Sequence, residues 1–484
     1  MLFNSYIFIL LFLPLTLVGY FCLNNFNHIW GKAWLIVMSL WFYAYFNWKY
    51  LPIIIISICF NYIITRLILR TERMTLKKGI LITAIIVNIG ALIYYKYYDF
   101  FIENINTIFK VDFTLHYLIL PLAISFFTFQ QLSYVIDSYR GEVPSYSMLD
   151  YALYVAYFPQ LIAGPIVRHD EMIPQFVDTS KKKVNYENLS KGIMAFSFGL
   201  AKKVLLADTF GNAVNWGYSN ISLLDTTDTL LVMLFYSFQI YFDFSGYCDM
   251  ATGLSMMFNI DLPMNFNSPY RARSILDFWK RWHITLTRFF TRYLYIPMGG
   301  NRKGKVRTYI NTFLVFIISG LWHGANWTFV IWGAMHGLLS MITKAFQKHF
   351  EKLPAVIGWL LTFGFVNVFW VYFRADSFVQ ANQMIQNILK FRMGNISTDI
   401  ADIFYLTEFK SLATLLNVGV LSNSKLYLLI FTLFSLVAVI FMKNTNERLA
   451  VFKPTKWNSV VTVVLFVWCV LSFSGVSTFL YFNF

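Results

Sequence analysis

The sequence predicts an all-α protein that crosses a membrane many times, and three observations predict it. Of 484 residues, 58% are hydrophobic and only 13% charged, whereas an ordinary soluble domain carries about 25% charged residues. Apolar runs recur along the whole chain, several of them near the roughly 20 residues that a spanning helix needs. Basic residues collect in the gaps between those runs, where cytoplasmic anchors belong.

The charge of +15 and the 20% aromatic content fit the same picture. A basic chain can bind nucleic acid, but here the Lys and Arg residues are spread between hydrophobic segments, so no nucleic-acid partner is expected. Abundant Trp and Tyr suit belts at the lipid headgroups.

Taken in order, the first run is Tyr6–Cys22. It has no basic stretch ahead of it and no small-residue cleavage site, so it reads as a retained helix and not a signal peptide. Trp34–Trp48, Leu51–Ile64 and Gly79–Tyr95 follow, giving residues 1–100 as N-terminal membrane helices. The stretch 101–345 is expected to be a core of broken helices. Its segments Leu118–Ile136, Met148–Ile166, Gly192–Leu206 and Leu230–Phe258 are apolar but interrupted by Pro121, Pro159, Pro165, Lys202, Lys203, Asp243 and Asp249. Charge and broken backbone survive at membrane depth only inside protein or beside water, so a tunnel or active site is to be sought here. Tyr309–Leu321 and Trp327–Thr343 form two further spans around a tight turn containing His323. Residues 346–484 add Leu353–Phe373, Leu426–Met442 and Val460–Phe479, with an extracytoplasmic segment near 392–425. The total is about ten to thirteen membrane and re-entrant helices.

Orientation follows from the basic loops at Arg66–Lys78, Arg271–Arg307 and Lys443–Lys456, all of which should face the cytoplasm. A helix rising from Arg307 places His323 about 24 Å further along, at depth in the bilayer. Cys22, Cys59 and Cys469 read as small core hydrophobes, and Cys248 lies near two aspartates. No two cysteines have metal-ligand or redox spacing, and no metal site is expected.

Several residues carry possible chemistry. His323 sits in Ser319-Gly320-Leu321-Trp322-His323-Gly324-Ala325-Asn326. An ionisable residue at membrane depth is a functional hypothesis by default, and histidine takes and returns a proton near neutral pH, as acyl transfer to a hydroxyl requires. A hydrogen-bonded packing role fits the same residue equally well. His336 follows thirteen residues later. In Asp277-Phe278-Trp279-Lys280-Arg281-Trp282-His283, continuing to Phe290, the pattern predicts one amphipathic interfacial helix. Trp279, Trp282, His283, Leu286 and Phe290 would share its apolar face, and Asp277 and Arg281 would pair. On that face His283 is either a satisfied core histidine or a site residue. The run Tyr241-Phe242-Asp243-Phe244-Ser245-Gly246-Tyr247-Cys248-Asp249 puts two carboxylates among aromatics, and a polar network joining helices explains it as well as catalysis does. His28, His116, His169 and His349 read as loop or segment-end residues.

These segments together resemble the membrane-bound O-acyltransferase (MBOAT) superfamily, and within it the bacterial polysaccharide O-acetyltransferases of alginate and peptidoglycan type. The motifs that carry the resemblance are Phe158-Pro159-Gln160-Leu161-Ile162-Ala163-Gly164-Pro165-Ile166, the Tyr241–Tyr247 run, Asn265-Phe266-Asn267-Ser268-Pro269-Tyr270-Arg271-Ala272 and Phe278–His283. Tyr295-Ile296-Pro297-Met298-Gly299-Gly300-Asn301-Arg302 and Ser319–Gly324 complete the set. The resemblance implies many helices around a central tunnel, with His323 at the family's invariant histidine and His283 at its second position. It further implies an acyl thioester donor such as acetyl-CoA, an exported polysaccharide as acceptor, contact with membrane lipid and an extracytoplasmic, hydrolase-like acetyltransferase partner. The bacterial cytoplasmic (inner) membrane is the implied location. Arg281 and Arg288 would bind the donor's phosphates, while Asp243, Asp249, Ser245, Trp279, Trp322, Asn326 and His336 would support the site. D-alanyl transfer to teichoic acid is the alternative within the superfamily. A transporter lined by polar residues is the alternative outside it, and internal hydropathy repeats that would favour it are not visible.

Overall fold

The computed structural model describes residues 1–416, 422–473 and 477–480. Among these residues every regular element is helical. The principal helices begin with α1 (Phe8–Phe26), α2 (His28–Ala44), α3 (Trp48–Arg70), α4 (Met74–Phe109), α5 (Ile124–Tyr139), α6 (Met148–Ala156) and α7 (Tyr186–Ala201). They continue with α8 (Thr226–Met257), α9 (Ile275–Arg281), α10 (Ile284–Phe290), α11 (Lys305–His323) and α12 (Trp327–Ala345). The last are α13 (Ala355–Arg374), α14 (Ser424–Ile440) and α15 (Lys456–Leu471).

Among the described residues four helices, α1, α3, α4 and α13, are long and apolar enough to cross a membrane, and α14 and α15 are shorter apolar helices. On these helices Leu10, Val18, Ile56, Ile63 and Ile86 are exposed. Such side chains would cost free energy against water and cost nothing against lipid tails, so the chain is a membrane protein. The expected span Val460–Phe479 and the segment 392–425 extend partly outside the described residues.

The chain forms two compact units. The first comprises Met1–Leu200, Tyr247–Met264 and Phe452–Phe484. Asn27 separates α1 from α2, its side chain accepting the Ile29 N–H as an N-cap. Ile64 and Ile68 of α3, Ala84 of α4 and Val135 of α5 make a buried cluster. Asn61 and Asn88 bind one another through their amides at 2.8 and 3.1 Å, the polar clasp that holds apolar helices together where no hydrophobic force distinguishes lipid from protein. Cys22 is exposed, against the expectation of a core position, because it lies on the outward side of α1.

The interruptions in the middle of the chain are not all alike. Pro121 and the left-handed Ala123 (φ 62°) delay α5 to Ile124. Pro159, at the start of a new short helix, ends α6 before Tyr157. Lys202–Ala207 continues α7 as a π-helical turn. The run around Asp243 and Asp249, by contrast, was expected to be broken and is one continuous helix, α8. A carboxylate leaves the backbone ladder intact, so charge there alters what α8 touches without breaking it.

The second unit comprises Ala201–Gly246 and Asn265–Val451. Its centre is the α11–α12 hairpin. A Cβ on Gly320 would run into the Phe329 carbonyl, and one on Gly333 into the Phe316 carbonyl. Two glycines therefore let the helix backbones touch, the close approach that small residues permit in membrane proteins.

Candidate active site

His323 is the last residue of α11, and Gly324 leaves the helix in an extended conformation. Asn326 starts α12 by accepting the Thr328 N–H at 3.0 Å, and its amide donates to the Asp376 carbonyl at 3.0 Å. This anchors the turn on both sides. The His323 ring is 2% exposed. Trp332 and Phe373 meet it edge-on, each at 5.2 Å, and Trp322 lies at 4.9 Å.

His336 lies one turn beyond Trp332 on α12 and is fully buried. Trp332, Phe369 and Trp279 surround it at 4.9, 4.8 and 5.0 Å. The Trp279 Nε1–H donates to His336 Nδ1 at 3.3 Å. An indole N–H can only donate, so Nδ1 is the acceptor and the neutral ring carries its hydrogen on Nε2. Trp332 is common to both cages, so the two imidazoles are tied through one indole.

His283 departs from expectation. The segment is not one amphipathic helix: α9 ends at Arg281, α10 starts at Ile284, and His283 stands between them in the left-handed region (φ 45°, ψ 53°). Histidine is among the few non-glycine types that occupy this region with any frequency. The break has a long-range cause. Asn267 N–H donates to the Arg281 carbonyl at 2.9 Å, and Ile284 N–H to the Asn265 carbonyl at 3.0 Å. A strap at Asn265–Asn267 thus takes main-chain groups that a continuous helix would have used. His283 consequently shares no helical face with Trp279 and Leu286. It is 1% exposed, meets Phe244 edge-on at 4.8 Å and Trp322 at 6.2 Å, and lies 3.1 Å through Nδ1 from Asn265 Oδ1. Outside the helices long and apolar enough to cross a membrane, burial pulls the pKa of His283 down to about 3, so the ring is neutral at physiological pH.

The other expected residues divide. Asp277 and Arg281 pair at 2.8 Å as predicted, and Arg281 also donates to the Asn267 carbonyl at 3.4 Å. Arg288 is half-buried on α10. Asp243 is buried and shares Lys203 with Asp208, each oxygen 2.7 Å from the ammonium nitrogen. Lys202 donates to Ser245 at 3.5 Å. Asp249 is buried in the part of α8 that belongs to the first unit. Trp322 is buried between His283 and His323.

Sequence reasoning missed three things. Asn265 was visible only as part of a motif, because its partners lie eighteen to twenty residues away. Lys203 was seen as a charge that interrupts a helix, without its two aspartates. His169, read as a segment-end residue, is 1% exposed. In the first unit its Nε2 lies 3.6 Å from the buried Asp137, to which Arg168 also comes within 3.5 Å.

The chain belongs to the membrane-bound O-acyltransferase (MBOAT) family, whose model matches residues 106–378, and it is an acyltransferase. It is 45% identical to the peptidoglycan O-acetyltransferase of Helicobacter pylori over 420 residues, 80% of each chain. Similarity to the probable alginate O-acetylase AlgI of Pseudomonas aeruginosa is 37% over 82% of this chain and 76% of that one. The teichoic acid D-alanyltransferase of Bacillus subtilis is 29% identical over 52% of this chain and 68% of its own length.

Proposed function

We propose that this chain moves an acetyl group from a cytoplasmic thioester, acetyl-CoA, across the bacterial inner membrane for O-acetylation of an exported cell-surface polysaccharide. The observation that carries the reading is His323, held without exposure to water at the glycine-tight turn between α11 and α12. The identity to named O-acetyltransferases over four fifths of the chain supports the acetyl group, and the higher identity to the peptidoglycan enzyme favours a peptidoglycan-like acceptor over an alginate-like one. D-alanyl transfer has less support, since that similarity covers about half of the chain.

In the reaction the accepting hydroxyl oxygen bonds to the acyl carbon and the carbon–sulfur bond breaks. His323 takes the hydroxyl proton as general base and returns it to the departing thiolate. His283 positions the acyl group or polarises its carbonyl. Arg281, which pairs with Asp277 and donates to the Asn267 carbonyl, and Arg288 bind the phosphates of the donor. Trp279, Trp322, Asn326 and His336 hold the two rings in place, and Asp243 and Ser245 shape the surrounding polar network. About ten to thirteen helices and re-entrant segments enclose the path as a tunnel, and an extracytoplasmic hydrolase-like acetyltransferase completes delivery to the glycan.

Everted membrane vesicles test the donor. Acetyl-CoA labelled in the acetyl group and supplied to the exposed cytoplasmic face should label ester product in wild-type vesicles and not in His323→Ala vesicles. Equal labelling of both, or labelling only from a D-alanyl carrier, would contradict the reading.

A further inference from the structure

We infer that Asn265 is a positioning residue that fixes His283 as the Nδ1–H tautomer, so that Nε2 presents a lone pair to the substrate. The inference rests on His283 serving the acyl transfer proposed above, and it narrows how.

The argument begins with which end of the Asn265 amide faces the histidine. Thr285 N–H lies 3.3 Å from Asn265 Oδ1. A backbone N–H can only donate, so the atom facing it must be the amide oxygen and not the nitrogen. The Thr285 hydroxyl donates to the same oxygen at 2.9 Å. Since that oxygen only accepts, the His283 nitrogen 3.1 Å away must be the donor. A neutral imidazole has one N–H, and Nδ1 therefore carries it. The pair cannot drift apart, because Ile284 N–H is bonded to the Asn265 carbonyl at 3.0 Å and the next strap residue but one is bonded to Arg281 at 2.9 Å. Between those two bonds His283 holds a left-handed backbone, with φ 45°.

The chemical consequence is a division of labour. A ring whose only hydrogen is given to Asn265 has none left to polarise an acyl carbonyl. Its Nε2 can instead accept the hydrogen of a substrate hydroxyl or thiol. Of the two roles proposed above, His283 thus keeps the positioning one, accepting that hydrogen at Nε2, and the carbonyl is polarised by another group. His336 has the opposite tautomer, set by the Trp279 donor, so two imidazoles of one unit are locked in opposite proton arrangements by neighbours that can each play only one role.

Selectively 15N-histidine-labelled protein in lipid gives the tautomer directly, with the His283 resonances assigned by their loss in His283→Ala. Wild type should show a protonated Nδ1 and an unprotonated Nε2 for this residue. Asn265→Ala should lose that single state and reduce acetyl transfer about tenfold or more, whereas Asn265→Asp, which keeps the accepting oxygen, should retain both tautomer and most activity. A wild-type tautomer in Asn265→Ala, or loss of both in Asn265→Asp, would overturn the assignment. If His283→Ala itself transfers acetyl at the wild-type rate, the role of His283 falls instead, while the tautomer measurement still decides what Asn265 does.

Discussion

The bond from Trp279 to His336 is a single-residue test of how the aromatic cages are held. Trp279→Phe keeps a ring in place but removes the only N–H that reaches His336 Nδ1 in the described geometry. A buried acceptor left without its donor costs about 1–3 kcal/mol, so the detergent-solubilised variant should unfold at a lower temperature than wild type. An unchanged unfolding temperature would mean that packing alone holds the ring. At this scale the sequence was informative where a signal was local. The Asp277–Arg281 pair was readable from a spacing of four residues, and the burial of His323 and His336 from their position in apolar runs. The left-handed His283 was not, since it depends on a strap whose residues Asn265 and Asn267 precede it by eighteen and sixteen positions.

At the scale of elements, the α11–α12 hairpin depends on what glycine lacks. Gly320→Ala adds one carbon where the Phe329 carbonyl already stands, and forcing the helices apart should cost about 1–3 kcal/mol. Gly364→Ala on α13 is the control, because a Cβ there meets nothing within 4 Å. It should leave stability within about 1 kcal/mol of wild type. Thermal denaturation of both variants in the same detergent decides the point: helix propensity alone would stabilise both, so an unchanged or raised unfolding temperature for Gly320→Ala would show that the backbone contact does not matter. The sequence located this hairpin and its tight turn but not the contact between the two helix backbones, since Gly320 meets the Phe329 carbonyl across that turn. It misjudged α8 for a related reason: Asp243 and Asp249 were read as breaks, yet a buried carboxylate requires only a partner, and Lys203 supplies one for Asp243.

At the scale of the whole molecule, composition and hydropathy were enough for the all-α membrane class, and an ordered set of motifs was enough for the family. The interleaving of the units was not readable. Tyr247–Met264 and Phe452–Phe484 join the first 200 residues in one unit, and nothing in local pattern announces contacts over such separations. The cages around His323 have the same character, drawing Phe373 from a helix fifty residues away. That assembly, in a chain with peptidoglycan and alginate O-acetyltransferases among its relatives, makes the central claim one about His323 in acetyl transfer to a glycan. The most direct measurement is the O-acetyl ester content of cell-surface glycan from cells whose sole copy of this chain is wild type or His323→Ala, at matched membrane levels. The account predicts esters in the first and a fall to the level of a deletion strain in the second. Wild-type ester content in the His323→Ala cells would contradict it.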